Sequence, residues 1–424
     1  MKRILILMSM ALSVATIQAQ TLTLDECQQA ARQNYPLIRQ YQLVELSAGY
    51  ELSNIQKGWL PQVSVSAQAT LQSDVTAWPD EMQAMMQQMG INVKGLRRDQ
   101  YRVGVDVSQT IYDGGSIGSQ RDVARQRTQV EQARLDVSLY AVGRRVNDLY
   151  FGWLLVDDRL QLCRDVMTLL QDSERKLESM FRQGTASESD YQSVKAERLH
   201  AAQQLNSLEA QRRVLQRMLS VFCGREVTAV VKPAAIAKPT GNNRPELQLI
   251  SAQLQLANAQ QQALDAQLRP RLSLFASGFY GYPGYNMFED MLHHRWTLNG
   301  IIGARLTWNL GALYTRKNDR ARLDTQRTEL SVQRDLFLFN NQLEQIEHDE
   351  NIDRYRQLMS DDEEIIQLRT SVRRAAESKL AHGIIDVNAL VQEISHENQA
   401  RIQQSTHEIE MLKAMYDLKY ATNE

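Results

Sequence analysis

The chain has 424 residues, which is long enough for two or three domains. Charged residues make up 23% of the sequence and aromatic residues 7%, a composition that suits long solvated helices better than one large apolar core. The formal net charge of -2 at pH 7 argues against nucleic acid as a partner.

The first nineteen residues, 1–19, predict a signal peptide. Lys2 and Arg3 precede an apolar run, and Ala19 closes a plausible cleavage site with a small residue. The run is too short for a comfortable membrane-spanning helix, and no other stretch approaches roughly 18 consecutive apolar residues. We therefore expect the mature chain to leave the cytoplasm and to enter a membrane, if at all, by strands.

A helix and two strands are predicted next. Thr23 and Glu26 form a capping box that opens the helix. The period then changes to a strict alternation of apolar and polar residues, which predicts strands at 63–72 and 101–112. Strands of about ten residues have the length that crosses a bilayer when tilted.

A long helical hairpin is predicted after the second strand. A turn at Asp113–Gly115 leads into a helix over 115–182, Gly184 ends this helix, and a return helix follows over 187–222. Both arms carry the three-and-four spacing of a coiled-coil seam. At roughly 1.5 Å per residue the first arm is about 100 Å long. Such a hairpin leaves most of its surface uncovered, so we expect further helices from this chain or from other copies.

The same plan recurs in the second half of the chain, which predicts two internal repeats, 20–230 and 244–424, joined by a proline-bearing linker, 231–243. The hairpin glycines Gly184 and Gly383 are 199 positions apart. Two proline pairs share an offset of 209 positions: Pro36 with Pro245, and Pro61 with Pro270. The predicted elements of the second repeat are a helix at 245–268, strands at 271–280 and 296–309, a long helix at 311–382 and a return helix at 386–420.

Four strands cannot close a membrane pore by themselves. Open sheet edges are not tolerated in lipid, and bacterial barrels begin at eight strands, so identical copies must supply the rest. Two copies give eight strands and a plugged bore, whereas three give twelve strands and room for a channel. A soluble two-layer sheet is the alternative, because alternation alone does not distinguish lipid from a protein core.

The order, spacing and duplication of these motifs resemble the TolC family of outer-membrane efflux proteins. The motifs that carry the resemblance are Thr23–Glu26, Leu60–Val63, Asp113–Gly115, Arg244–Leu247 and the two hairpin glycines. The resemblance covers nearly the whole mature chain. It implies an α+β membrane protein, a homotrimer with a 12-stranded β-barrel built from four strands per chain. A long α-helical coiled-coil barrel continues the β-barrel, and the protein lies in the outer membrane with this helical barrel in the periplasm.

The resemblance also implies a function and partners. The chain would form the exit duct of a tripartite efflux or type I secretion system, passing small molecules or proteins from an inner-membrane pump to the exterior. A periplasmic adaptor protein, the pump and outer-membrane lipid are the implied partners. No phosphate-binding glycine loop, nucleophile elbow or histidine spacing for a metal occurs, so we predict no enzyme activity, cofactor or metal site. The alternative is an exported helical-stalk scaffold or adhesin without transport.

The hairpin tips are where the resemblance implies a periplasmic gate and adaptor docking. Asp190 lies six residues after Gly184, where the family carries an acid, but it also completes a capping box with Ser187, and both roles stay open. The predicted docking residues are Gly184, Thr185, Ser187, Gly383 and Ile384.

The second tip departs from the family pattern. Ala389 and Gln392 occupy the positions where the family carries acids. Asp386 and Glu393 are the substitutes for the gate, provided that their side chains face the bore.

Two further groups of residues can be interpreted as structural or as functional. Cys27, Cys163 and Cys223 form no CxxC pair and leave an odd thiol, and we interpret them as buried structural residues. A methionine cluster between the first two strands is typical of a short amphipathic helix or lid, with a soft metal such as Cu(I) as the alternative ligand. Its members are Met82, Met85, Met86 and Met89.

Overall fold

The computed structural model describes residues 21–93, 95–239 and 241–423. The predicted signal peptide lies outside these residues. In the described part of the chain the helices are α1 (Leu24–Asn34), α2 (Ile38–Gln56), α3 (Asp80–Gln88), α4 (Ser116–Arg182), α5 (Glu188–Cys223), α6 (Pro245–Gln267), α7 (Met287–His293), α8 (Ala312–Ala381) and α9 (Val387–Thr422). The strands are β1 (Thr21–Leu22), β2 (Gln62–Leu71), β3 (Asp99–Tyr112), β4 (Ala229–Val230), β5 (Arg271–Tyr282) and β6 (Thr297–Thr307), and a turn of 3-10 helix spans Lys57–Trp59.

Local sequence explains where the main helices start and stop. The capping box at the start of α1 is present, with the Glu26 carboxylate accepting from the Thr23 backbone N–H at 2.8 Å. Helices α4 and α8 continue for 67 and 70 residues because they contain no proline. Each ends just before a glycine with a left-handed backbone, Gly184 at φ 72° and Gly383 at φ 69°.

The chain forms two compact units, each built from separate segments. The sheet unit comprises Leu43–Glu131 and Ile250–Val332. The hairpin unit comprises the described parts of Met1–Gln42, Gln132–Leu249 and Gln333–Glu424. The units do not follow the two predicted repeats, because each repeat supplies segments to both.

The sheet unit holds a four-stranded antiparallel sheet with the order β2-β3-β5-β6. The strands of the two halves of the chain meet where β3 pairs with β5, although two long helices separate them in sequence. A register shift between Thr110 and Tyr112 ends the regular part of this pairing. Strands β2 and β6 are the two edges of the sheet.

The hairpin unit has an aromatic core next to strand β1. Tyr150, Phe151 and Trp153 of α4 are fully buried in it, together with residues of α1, α5 and α9. The Tyr150 hydroxyl accepts from the Val231 backbone N–H at 3.0 Å and donates to the Leu22 carbonyl at 2.9 Å. It therefore ties the parallel pair β1-β4 to the long helix α4.

Candidate functional site

One face of the sheet is apolar on all four strands. The pairing aligns Val65 with Val105, Val105 with Gly278, and Gly278 with Gly300. The neighbouring rows on this face are Ala67, Val103, Tyr280 and Leu298 on one side and Val63, Val107, Ala276 and Ile302 on the other. The large side chains at the edges, such as Val65 and Ile302, are among the most exposed in the chain. A continuous exposed apolar face about ten residues long has the dimensions of a membrane-facing surface.

The opposite face of the sheet is polar and carries cations over aromatic rings. The Arg102 guanidinium lies 3.8 Å from the centroid of the Phe279 ring, and Arg305 lies 4.9 Å from that of Phe275. Guanidinium groups tolerate such positions because the ring face is electron-rich and the rest of the group stays hydrated. The two faces therefore differ as the lipid and aqueous faces of a membrane sheet differ.

The loops at one end of the sheet pack into a small cap with its own core. Val93, Leu96, Tyr282 and Met291 are buried there. The Asp290 carboxylate is also buried and accepts from the Gly284 backbone N–H at 2.6 Å. Methionines 82, 85 and 86 lie on α3, in agreement with the amphipathic-helix interpretation of the methionine cluster.

The helices of the sheet unit line a groove of mixed polar and apolar character. Ion pairs join these helices in pairs: Arg127 contacts Glu51 across α4 and α2, and Arg320 contacts Asp265 across α8 and α6. A groove of about 1100 Å³ runs between all four helices. Its lining combines apolar side chains with charged and amide ones, among them Glu51, Gln120, Arg127, Asp319, Arg322 and Glu329.

The two hairpin tips have the same backbone geometry. At the first tip, the Thr185 N–H donates to the Met180 carbonyl at 2.9 Å, and at the second, Ile384 donates to Lys379 at 2.9 Å. Both are Schellman motifs that satisfy the last carbonyls of a long helix. A Cβ at either hairpin glycine meets open space, so the left-handed backbone and not crowding requires glycine there. Ile384 is 70% exposed, an apolar side chain at the outermost turn.

Each predicted gate acid has a defined local partner. Asp190 accepts from the Ser187 backbone N–H at 3.2 Å and from its hydroxyl at 2.6 Å, while Ser187 Oγ accepts from the Asp190 N–H. Asp386 is the N-cap of α9 and accepts from the Ala389 N–H at 2.8 Å. It stands where the other hairpin has Ser187. The start of α5 thus carries Glu188 and Asp190 in its first turn, whereas the start of α9 carries a single acid, the N-cap Asp386. These carboxylates lie near the positive end of each helix dipole.

Glu393, the third predicted acid, points toward the other arm of its own hairpin. It lies 3.8 Å from Nη1 of Arg369 on α8 and 3.6 Å from Nδ1 of His396. Its carboxylate is therefore engaged with basic groups of the same chain.

The structure also shows two salt bridges that the sequence analysis did not predict. Arg198 of α5 contacts Glu174 of α4, and Arg373 of α8 contacts Glu397 of α9. Both bridges join residues ten positions before and fourteen positions after a hairpin glycine, and their charges are reversed between the two hairpins. The sequence signal for these bridges was a pair of oppositely charged residues at the same two distances from each hairpin glycine.

The second bridge is the more deeply buried of the two. The side chains of Arg373 and Glu397 are 14% and 9% exposed, compared with 23% and 16% for Arg198 and Glu174. Burial disfavours the ionised Glu397, but hydrogen bonds from Arg373, Arg401 and Thr370 outweigh it and hold the pKa of Glu397 below its ordinary value. Glu397 is therefore a carboxylate that stays charged inside the tip.

Around these bridges, apolar side chains from all four long helices pack into one cluster. Its buried members are Leu170, Leu177, Val194, Ala201, Ala376, Val387, Leu390 and Ile394. The two hairpin tips thus form a single packed end within the hairpin unit.

Three solved structures share this fold over nearly the full chain. The outer membrane protein VceC from Vibrio cholerae has a TM-score of 0.68 and 12% identity, covering 94% of this chain and 95% of that one. The Campylobacter jejuni outer membrane channel CmeC has a TM-score of 0.67 and 14% identity, with coverages of 94% and 85%. The Neisseria gonorrhoeae outer membrane channel MtrE has a TM-score of 0.63 and 16% identity, with coverages of 97% and 93%. No curated protein sequence matches the chain significantly.

The exposed apolar face of the sheet is a feature of a membrane protein. The family described as "Outer membrane efflux protein" matches residues 12–225, just over half of the sequence, and the chain belongs to this family. The resemblance to TolC-type proteins is confirmed. The protein is accordingly an efflux duct of the outer membrane.

None of the helices between Thr21 and Asn423 that the structure describes is both long and apolar enough to span a membrane. Within the same residues, no group of three or more histidine, cysteine, aspartate or glutamate side chains is arranged to hold a metal ion.

Proposed function

We propose that three copies of this chain close into a 12-stranded barrel that carries substrates through the outer membrane. The observation that supports this most directly is the sheet, whose apolar face ends in two unpaired edges, β2 and β6. An open edge in lipid leaves backbone groups without hydrogen-bond partners, at a cost of several kcal/mol for each group. Pairing of β6 in one copy with β2 in the next removes both edges around a closed ring.

Uncovered coiled-coil seams on the helices support the same assembly. Apolar residues at three-and-four spacing are exposed on α2 and on the part of α8 in the hairpin unit: Leu43, Leu46 and Tyr50 on the first, Leu336, Phe339, Leu343 and Ile346 on the second. Such stripes are covered by a neighbouring helix in coiled coils. Helix α2 leads into edge strand β2 and α8 leaves edge strand β6, so the helices next to both edges carry a stripe for another copy.

The rest of the proposed architecture follows the family likeness. The helices of each copy, supplied by two internal repeats, form a coiled-coil barrel in the periplasm. The charged and amide side chains that line the groove of the sheet unit, such as Arg127 and Glu329, are compatible with an aqueous conduit. A periplasmic adaptor protein docks at Gly184, Thr185, Ser187, Gly383 and Ile384, and an inner-membrane pump loads the duct from below.

Reconstitution into a lipid bilayer distinguishes a transport channel from a scaffold that does not transport. Purified protein in a planar bilayer should give discrete conductance steps, and native mass spectrometry of the same sample should give a trimer. A stable trimer without conductance steps favours the scaffold. A dimer contradicts the 12-stranded barrel.

We further propose that Asp190 and Asp386, with Glu393 behind them, form the periplasmic gate. In a trimer each copy contributes a carboxylate from both hairpin tips, which gives a ring of like charges where the tips converge. Such a ring binds cations and narrows the opening. Asp190 and Asp386 cap helices as well, so charge and capping must be tested separately.

Two matched variants of the first tip separate these roles. Asp190→Asn removes the charge but keeps an oxygen that accepts the Ser187 hydrogen bonds, whereas Ser187→Ala removes the cap and keeps the charge. A gate role predicts that Asp190→Asn changes single-channel conductance and cation selectivity, with little effect of Ser187→Ala. The opposite pattern would assign Asp190 to helix capping alone. Asp386→Asn is the corresponding variant at the second tip, because asparagine is also a good N-cap.

A further inference from the structure

Two of the three cysteines lie side by side in the aromatic core of the hairpin unit. Cys27 is on α1 and Cys223 is the last residue of α5, and both are buried. The Cys223 thiol donates to the Cys27 carbonyl at 3.8 Å, although the residues are 196 positions apart. All three cysteines of the chain are reduced in this structure.

The backbones around the two thiols are held together independently of the sulfur atoms. The Asn34 amide donates to the carbonyls of Val221 and Phe222 at 3.0 and 3.3 Å. The ring of Tyr35 stacks on that of Phe222 with centroids 6.3 Å apart. These contacts hold the end of α1 beside the end of α5, so a covalent link between the two cysteines would join segments that are already adjacent.

The two thiols differ in chemistry and access. The neighbouring Cys223 side chain, together with burial, raises the pKa of Cys27, whereas the Cys27 side chain and the Arg225 guanidinium lower the pKa of Cys223. Cys223 also lines a cleft of about 530 Å³ together with Glu26, Gln33 and Arg225. Cys27 does not line this cleft and is completely buried. Cys223 is thus the thiol that an external reagent reaches first, and Cys27 is placed to react second.

The compartment favours oxidation. A protein of the outer membrane crosses the periplasm, where structural disulfides form and persist. Cys163 lies outside the core that holds Cys27 and Cys223, between α4 and α5, where its thiol donates to the Ala201 carbonyl at 3.5 Å.

We propose that Cys27 and Cys223 form a structural disulfide after export, which fastens α1 to the end of α5. The Cys223 thiolate attacks a sulfur of a disulfide in an oxidising periplasmic protein, and the displaced sulfur leaves as a thiolate. The Cys27 thiolate then attacks Cys223 Sγ in this mixed disulfide and releases the second sulfur of the oxidant. The chain loses two thiol protons and two electrons, and the oxidant becomes a dithiol. The proposal is independent of the trimer and of the gate.

Thiol counting on the exported full-length protein tests this link. Cells are quenched in acid, and the protein is denatured, alkylated with and without prior reduction, and weighed by intact mass spectrometry. The wild type should show one alkylated cysteine without reductant and three with it. Cys163→Ser should show none without reductant, whereas Cys27→Ser and Cys223→Ser should each show two.

Three alkylated cysteines in the unreduced wild type would overturn the proposal, as would a link between two chains seen as a doubled mass. A second measurement, thermal unfolding with and without reductant, uses the wild-type protein. Reductant should lower the Tm of the wild-type protein by roughly 5 °C or more, because the cross-link restricts the unfolded chain. The matched control is Cys163→Ser, which should show the same fall. An unchanged Tm would show that the two cysteines stay reduced.

Discussion

The buried bridge between Arg373 and Glu397 gives the sharpest test of how the hairpin tips are held. Glu397→Gln keeps the size of the side chain and an oxygen for Thr370, but removes the charge that Arg373 and Arg401 share. Removing one partner of a fully buried ion pair costs about 3 to 5 kcal/mol. Since both side chains keep some exposure and glutamine still accepts a hydrogen bond, we expect about 2 to 3 kcal/mol at this site.

The loss should be local and is best measured by hydrogen exchange. A cost of about 2 to 3 kcal/mol corresponds to exchange that is roughly 30 to 150 times faster for amides that open with the tip. We expect this acceleration in peptides from α9 and the end of α8, detected by mass spectrometry of the protein in detergent. Arg374→Gln is the control, because this neighbouring side chain is exposed, and it should change exchange by less than about twofold.

The salt bridge of the first hairpin allows a second version of this experiment. Glu174→Arg and Arg198→Glu each place like charges opposite one another, whereas the double variant restores a bridge with the polarity of the second hairpin. The single variants should accelerate exchange in α5, and the double variant should recover most of the protection. Wild-type exchange in Glu397→Gln, or a double variant no better than its singles, would show that apolar packing alone holds the tips.

Two further predictions concern stability. Trp153→Ala empties a fully buried site and removes the hydrogen bond from its indole N–H to Asp157. The free energy of unfolding should therefore fall by about 3 to 5 kcal/mol and Tm by roughly 3 to 6 °C. The control Trp59→Ala, at an exposed site, should leave Tm within about 1 °C. Although burial opposes its ionisation, Glu397 has a folded-state pKa below its unfolded value of about 4.3. Its stabilisation is therefore complete above that pH and is lost as the pH falls through the lowered pKa. The Tm difference between wild type and Glu397→Gln should shrink between about pH 5 and pH 3, and a constant difference would contradict this origin.

The tips of the two hairpins are similar in backbone and unlike in charge. Both use a left-handed glycine, but the N-cap of the return helix is Ser187 at the first tip and Asp386 at the second, and only the first return helix has acids in its first turn. The buried bridges behind the tips are reversed in polarity as well. A gate built from these ends therefore alternates two chemically different hairpins around its axis.

Local features of the chain follow from its sequence because they depend on near neighbours. Alternation with a period of two places Val63 and Val65 on one face of a strand whatever the strand pairs with. A lone glycine in a stretch without proline marks the ends of the hairpin arms, since only glycine adopts the left-handed turn there without strain. The family resemblance rests on the order of such local signals.

Contacts between distant segments could not be predicted from the sequence and are seen only in the tertiary structure. Alternation does not specify that β3 lies next to β5, because an apolar strand face fits several neighbours. Nor does the sequence show that Cys27 meets Cys223, since their distance depends on how α1 packs against the end of α5. The charge-reversed bridges depend in the same way on the register between helix arms, which the packing of many apolar side chains sets together.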